Sequence, residues 1–124
     1  MASPHSDDRR ASVALVLSTE ADGLSDPVQM HGYKLIAVLM STGWDAGNLT
    51  FQGGLSSGAT FSNIYSSTGG EVALTADASR LVALSESEQS AVSSLPWLRL
   101  RSGTSAVPVA QSTSRALVLA LALD

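Results

Sequence analysis

The sequence predicts an all-β fold, a single β-sandwich that is jelly-roll-like in the spacing of its strands. Three observations carry this. Residues Tyr33–Tyr65 (YKLIAVLMSTGWDAGNLTFQGGLSSGATFSNIY) read as apolar strand, turn, strand, tight turn, strand. Their turns are built from Gly and Ser, with aromatics on the flanking strands. Along the chain about eight short apolar runs recur at intervals of ~8–12 residues, the spacing of a sandwich or jelly roll. No βα alternation, heptad run or internal repeat competes with that pattern.

The elements follow in order. Residues 1–10 (MASPHSDDRR) are polar and read as a flexible arm, too poor in apolar surface to order itself. Residues 11–124 form the sandwich domain. Ser12–Ser18 is a first strand, and Glu20–Pro27 a loop punctuated by Asp-Gly and Asp-Pro. Tyr33–Met40 is apolar on both faces, so it lies between layers or under a partner. Ser41–Gly47 is a connection containing Trp44. In Asn48–Gln52, Leu49 and Phe51 alternate with Asn48, Thr50 and Gln52. Gly53–Gly58 reads as a hairpin loop whose first two glycines serve the turn. Ala59–Tyr65 is the return strand, with Phe61 inward. Gly69-Gly70 make another turn before the strand Glu71–Thr75. Residues 76–96 carry one clear signal: Ser85 and Glu88 fit a capping box, giving one or two helical turns. Trp97–Arg101 (WLRLR) alternates strictly, with Leu98 and Leu100 inward. Ala116–Leu123 (ALVLALAL) closes the domain. Leu117, Leu119, Leu121 and Leu123 face the core, and Ala116, Val118, Ala120 and Ala122 form a small apolar outer face.

Composition narrows the function classes. The chain has 124 residues, 44% hydrophobic but only 5% aromatic, so its apolar content is mostly Ala, Val and Leu. Charged residues make up 15%, well under the ~25% usual for soluble domains, and Lys34 is the one lysine. A low-charge surface rich in Ser, Thr and Ala suits coverage by other subunits. The net charge of −4 argues against a nucleic-acid partner, which calls for a basic face. With no cysteine, disulfides and thiolate metal sites are excluded. No apolar signal segment opens the chain, and its longest apolar run is far short of the ~20 residues of a membrane helix. The expectation is a soluble chain made in the cytoplasm, with no membrane partner.

No constellation predicts catalysis. His5 lies in the arm and His31 at a strand entry, a spacing that supplies no zinc set. A Ser–His–Asp triad has no supporting motif, and the glycine pairs lack the helix and Lys of a phosphate loop. Glu86 and Glu88 sit in a solvated Ser-rich stretch, unlike paired glycosidase carboxylates. No catalytic residue, metal ligand or cofactor is therefore assigned. Two binding patterns are visible. Trp97, Arg99 and Arg101 form an outward row on one strand, residue types that favour interfaces; the plain alternative is a solvated strand face. Trp44, Gln52, Tyr65 and Trp97 would be the aromatics and amide of a sugar platform.

Several segments together resemble a known family: LSDPV, LIAVLMSTGW, LTFQGGLSSGATFSNIY and WLRLRSGTSAVPVAQSTSRALVLAL. They are similar to small structural proteins of tailed bacteriophages, over about Leu24–Leu123. The most specific element is the RSGT…PVAQ…R block, here Arg101–Thr104, Pro108–Gln111 and Arg115. The loop Leu55-Ser56-Ser57-Gly58 departs from the family pattern in lacking an Asp, which removes the basis for an acid- or calcium-linked role there. The resemblance implies a non-enzymatic virion component assembled in the host cytoplasm, most readily a head decoration or cement protein. Its partners would be the major capsid protein and copies of itself; the strand patterns read above supply the candidate interface residues, Trp97, Arg99, Arg101, Ala116, Val118, Ala120 and Ala122. Two alternatives stand beside it: a carbohydrate-binding module of a tail or head fibre engaging a host-surface glycan, and a head–tail connector subunit.

Overall fold

The computed structural model describes residues 10–17, 19–45 and 47–123. The expected arm lies outside the described residues except for Arg10, which opens the first strand. In chain order the elements are β1 (Arg10–Leu17), β2 (Val28–Gln29), β3 (Tyr33–Leu39), β4 (Leu49–Gly54), β5 (Ser62–Asn63), β6 (Ala73–Leu74), β7 (Leu81–Ala83), α1 (Glu86–Val92), β8 (Trp97–Ser102) and β9 (Arg115–Leu123). The protein is an all-β sandwich of two antiparallel sheets. One has the order β1-β9-β3-β7; the other runs β2-β8-β4-β5, with β6 also paired to β4.

Alternation builds the first sheet. Leu15 and Leu17 of β1 are buried while Ser12, Ala14 and Val16 are exposed. In β9, Leu117, Leu119 and Leu121 are buried, as their spacing predicts. Leu123, expected inward, is 40% exposed, because the strand end runs to the rim of the sheet. The closing strand is no edge: β1 pairs along one side of it and β3 along the other. Strand β3 carries a bulge between Leu35 and Ala37. Leu35 and Val38 are fully buried, whereas Leu39 is exposed. The expected two-sided burial of this strand holds on its inner side and at Ala37 of its outer side, and fails at Leu39.

The second sheet supplies the opposing core face from Leu49, Phe51, Leu98 and Leu100, all fully buried. Between the layers, Met30, Met40, Trp44 and Val92 complete one apolar cluster. Trp44 anchors its own turn by donating from Nε1 to the Gly47 carbonyl at 3.0 Å. Helix α1 begins with the expected capping box: Ser85 Oγ accepts from Glu88 N, and Glu88 Oε1 accepts from Ser85 N. Seven residues do not hold a helix in water. Val92 in the core and the Leu35 N–H donating to Ser93 Oγ fasten it to β3.

Two expectations in the hairpin are corrected. Gly53 and Gly54 are buried residues of β4, not turn residues. A Cβ on Gly54 would stand 3.0 Å from the Phe61 ring, and one on Gly53 3.1 Å from Leu95. Close packing, not backbone freedom, favours the glycines there, since a Cβ would require the Phe61 ring or Leu95 to give way by a few tenths of an ångström. Phe61 in turn is half-buried and packs under Arg99 with its ring centroid 4.7 Å from the guanidinium carbon, so it lies outside the core. Gly69, by contrast, is an exposed turn glycine with φ +97.

Candidate functional site

The outer side of the first sheet is the feature that an interaction protein would use. Strand register places its residues in rows across the strands. Ala14, Val118, Leu39 and Leu81 form one row, and Ser12, Ala120, Ala37 and Ala83 the next. Val16 and Ala116 pair beyond the first row, and Lys34 and Ala122 beyond the second. The large members stand in solvent: Leu81 is 65% exposed, Val16 55%, Leu39 44% and Val118 37%. No charged residue occurs in the two rows; Arg10 and Lys34 lie at the margin, both paired with Ala122. A contiguous apolar patch of this kind is uncommon on a solitary domain.

Ala116, Val118, Ala120 and Ala122 thus lie on the outer side of a central strand. Ala116 and Val118 are exposed; Ala120 and Ala122 are half-buried among their neighbours. The alternation of ALVLALAL revealed these four. Leu39 was hidden inside a run that reads as buried throughout, and Leu81 sits in a segment without a clear signal. Only strand pairing brings both beside Val118.

The expected outward row Trp97, Arg99 and Arg101 is corrected at Arg101. Leu98 and Leu100 face inward as predicted, but the opposite side of β8 is occupied. Arg101 is 4% exposed. Its Nη1 donates to Glu71 Oε2 at 3.2 Å and to Thr50 Oγ1 at 3.3 Å, and its Nη2 to Asn63 Oδ1. Glu71 Oε1 also accepts from the Ser105 N–H. The guanidinium is an internal clamp joining β4, β5, β8 and the two flanking loops. Arg99 is half-buried over Phe61 and borders a groove with Glu20, Asp22 and Asp26. Trp97, half-buried, borders a different groove beside β1, together with Val28 and His31.

The RSGT…PVAQ…R block closes on itself. Gly103 has φ +91, and a Cβ there would lie 2.5 Å from the Val107 carbonyl oxygen. Its N–H donates to the Asn48 carbonyl, and its own carbonyl accepts from Thr50 Oγ1 at 2.8 Å. Gln111 is buried; its Nε2 donates to Ser102 Oγ and its Oε1 accepts from the Asp45 N–H, both at 2.8 Å. Arg115 Nε donates to the same Oε1, and Arg115 Nη2 stands 3.4 Å from Asp45 Oδ2. The Ser112 N–H donates to that carboxylate at 2.6 Å. This hydrogen bond, the Ser112 hydroxyl and the charge of Arg115 hold Asp45 below the usual carboxylate range. An acid held ionised in this way suits a structural pair rather than proton transfer near neutrality. The block is a polar latch that fastens the loop after β8 to the turn holding Trp44.

The four candidate sugar residues are distributed. Trp44 is 7% exposed with its indole N–H satisfied inside its own turn. Gln52 Nε2 donates to Asn63 Oδ1. Tyr65 is 52% exposed and borders a groove of about 660 Å³ against α1, with Ile64, Val72 and Ala91, while Trp97 borders the groove beside β1. Among the described residues no group of three or more His, Asp or Glu is placed to hold a metal ion. No helix of the described residues is long and apolar enough to cross a membrane. Comparison with protein-family models, with curated proteins and with solved structures returns no match.

Proposed function

We propose that the chain is a non-enzymatic structural subunit of a tailed-phage virion, a head decoration protein that packs against the capsid lattice. The observation that carries the reading of an assembly subunit is the outer face of the first sheet, with two charge-free rows and Val118, Leu39 and Leu81 exposed on it, a face suited to burial against a neighbouring subunit of the particle. Such a surface lowers its free energy by being covered, by roughly 25 cal/mol for each Å² of apolar area removed from water. The strand order adds support. With β6 set aside, each sheet has four strands, and the chain alternates between them in the manner of a jelly roll, a fold used by capsid and lectin domains. Fold alone does not select the function; the resemblance in the RSGT…PVAQ…R block points to the virion. The latch built from that block explains why those residue types occur together, because each satisfies another inside the domain.

The test is the location of the chain in purified particles. Peptides of this chain in washed virions, and density for the sandwich on the head lattice in a reconstruction, are the expected results. A ring of copies at the head–tail vertex would place it as a connector instead. Absence from virions overturns the reading. The host-glycan alternative keeps one favourable observation, the exposed Tyr65 beside a groove lined by Ser87, Ser90 and Ser94. Glycan binding that is lost in Tyr65→Ala would favour it.

A further inference from the structure

We infer that the outer face of the first sheet is a self-association surface, on which two copies of this chain pack sheet against sheet about a two-fold axis. This rests on reading that face as a contact surface and goes further by naming its occupant.

The argument begins with the rows. Val118, Leu39 and Leu81 lie side by side on β9, β3 and β7, and form a ridge across the strands. One pair along, Ala120, Ala37 and Ala83 lie side by side on the same strands, and form a furrow of methyl groups. The extra residue of the bulge, Ile36, falls between this furrow and the Lys34–Ala122 pair. A two-fold axis in the plane of contact, running along the rows between ridge and furrow, has a simple effect. It places the ridge of each copy over the furrow of the other and keeps each strand over its own counterpart. An isologous interface requires this self-complementarity. An unrelated partner would have no reason to find it.

Charge and area agree. The two rows contain no charged side chain, and the axis carries the Arg10–Ala122–Lys34 position onto the uncharged Val16–Ala116 pair of the other copy, so identical faces meet without like charges placed opposite each other. At ~4.8 Å between strands and ~3.4 Å per residue, the full lengths of β1, β9 and β3 with the three residues of β7 give roughly 440 Å² in projection. Two copies then cover about 900 Å², the small end of interface sizes, where association is weak and reversible. A reversible dimer in the micromolar range is the expectation, one that many copies on a lattice would reinforce.

The experiment is sedimentation equilibrium of the full chain from low micromolar to near-millimolar concentration, at low and high salt. A monomer–dimer equilibrium that saturates at two copies, and that high salt leaves unchanged or strengthens, is expected. Val118→Lys and Leu81→Lys should remain folded by circular dichroism and sediment as monomers. The same change at Val107, in the loop after β8, should leave the dimer intact. Ala120→Phe keeps the face apolar but fills the furrow, and should weaken the dimer ~10-fold or more. A chain that stays monomeric at every concentration overturns the inference, and so does an association abolished by salt. An Ala120→Phe variant that dimerises as well as the parent does the same. Incorporation of the Lys variants into virions is scored separately. A monomeric parent whose Val118→Lys variant is excluded from particles would sink the dimer and leave the virion reading standing. A dimer found in a chain absent from virions would do the reverse.

Discussion

Arg101 shows how one residue changes meaning between sequence and structure. In WLRLR it reads as an outward cation; in the fold Glu71, Asn63 and Thr50 surround it. Arg101→Ala would strip Glu71 and Asn63 of their shared donor. Breaking a buried ion pair costs roughly 3–5 kcal/mol, and about 3 kcal/mol is expected here because Glu71 keeps some solvent contact. A urea titration of the two chains measures it, and a loss within error would show the clamp to be dispensable. Asp45 gives a pH-dependent prediction. Its folded pKa lies below its ordinary value of 3.8, so the folded chain holds that proton less tightly than the unfolded chain does. Its stabilising contribution is complete above that value and disappears as pH falls through the folded pKa. Asp45→Asn should therefore be less stable than the parent at neutral pH, with the gap closing below about pH 4. A gap unchanged across the acid range would mean that the Ser112 and Arg115 contacts do not act through charge.

Among the elements, β9 is decisive. It is one of the two inner strands of its sheet, apolar on both sides, and it joins the first strand of the domain to β3. Its inner side is fully committed, since Leu117 and Leu119 have no exposed surface. Leu119→Ala should cost roughly 2–5 kcal/mol, the range for a leucine truncated in a packed core. Thermal and urea unfolding would show it, and a cost under a kilocalorie would mean that the core closes around the gap. The outer side is free to take polar residues without loss of core, which is why substitutions there report on association. The two edges, β1 and β7, carry the hazard of unpaired backbone. Ser25 bridges to Leu17 at one end of β1 and shortens its open edge.

At the scale of the whole molecule, the first and last strands pair along their length, Arg10 opposite Ala122 through Leu17 opposite Arg115. A chain with such distant pairings folds slowly, because loop closure comes before the contacts that offset its entropy. Refolding on a millisecond-to-second scale is expected in stopped-flow fluorescence of Trp44, which becomes buried in the core. Removal of residues 115–124 should leave a chain without sandwich structure in far-UV circular dichroism, since β1 would lose its partner in the sheet and β3 the longer of its two pairings. A truncated chain that unfolded cooperatively would show the second sheet to be sufficient alone.

Local features could be read from the residues alone. The alternation of WLRLR and ALVLALAL, the Ser85–Glu88 capping box and the turn at Gly69-Gly70 were all legible, because each depends on residues a few positions apart. The small outer face of the closing strand was legible for the same reason. Tertiary structure decided what depends on neighbours brought from elsewhere in the chain. Gly53 and Gly54 are packing residues because Leu95 and Phe61 press on them. Arg101 is enclosed because Glu71 reaches it from another loop. Leu39 and Leu81 belong to one exposed ridge because register, set across strands distant in sequence, aligns them with Val118. A period of two tells which residues share a face, but only the folded sheet tells whether that face meets protein or water.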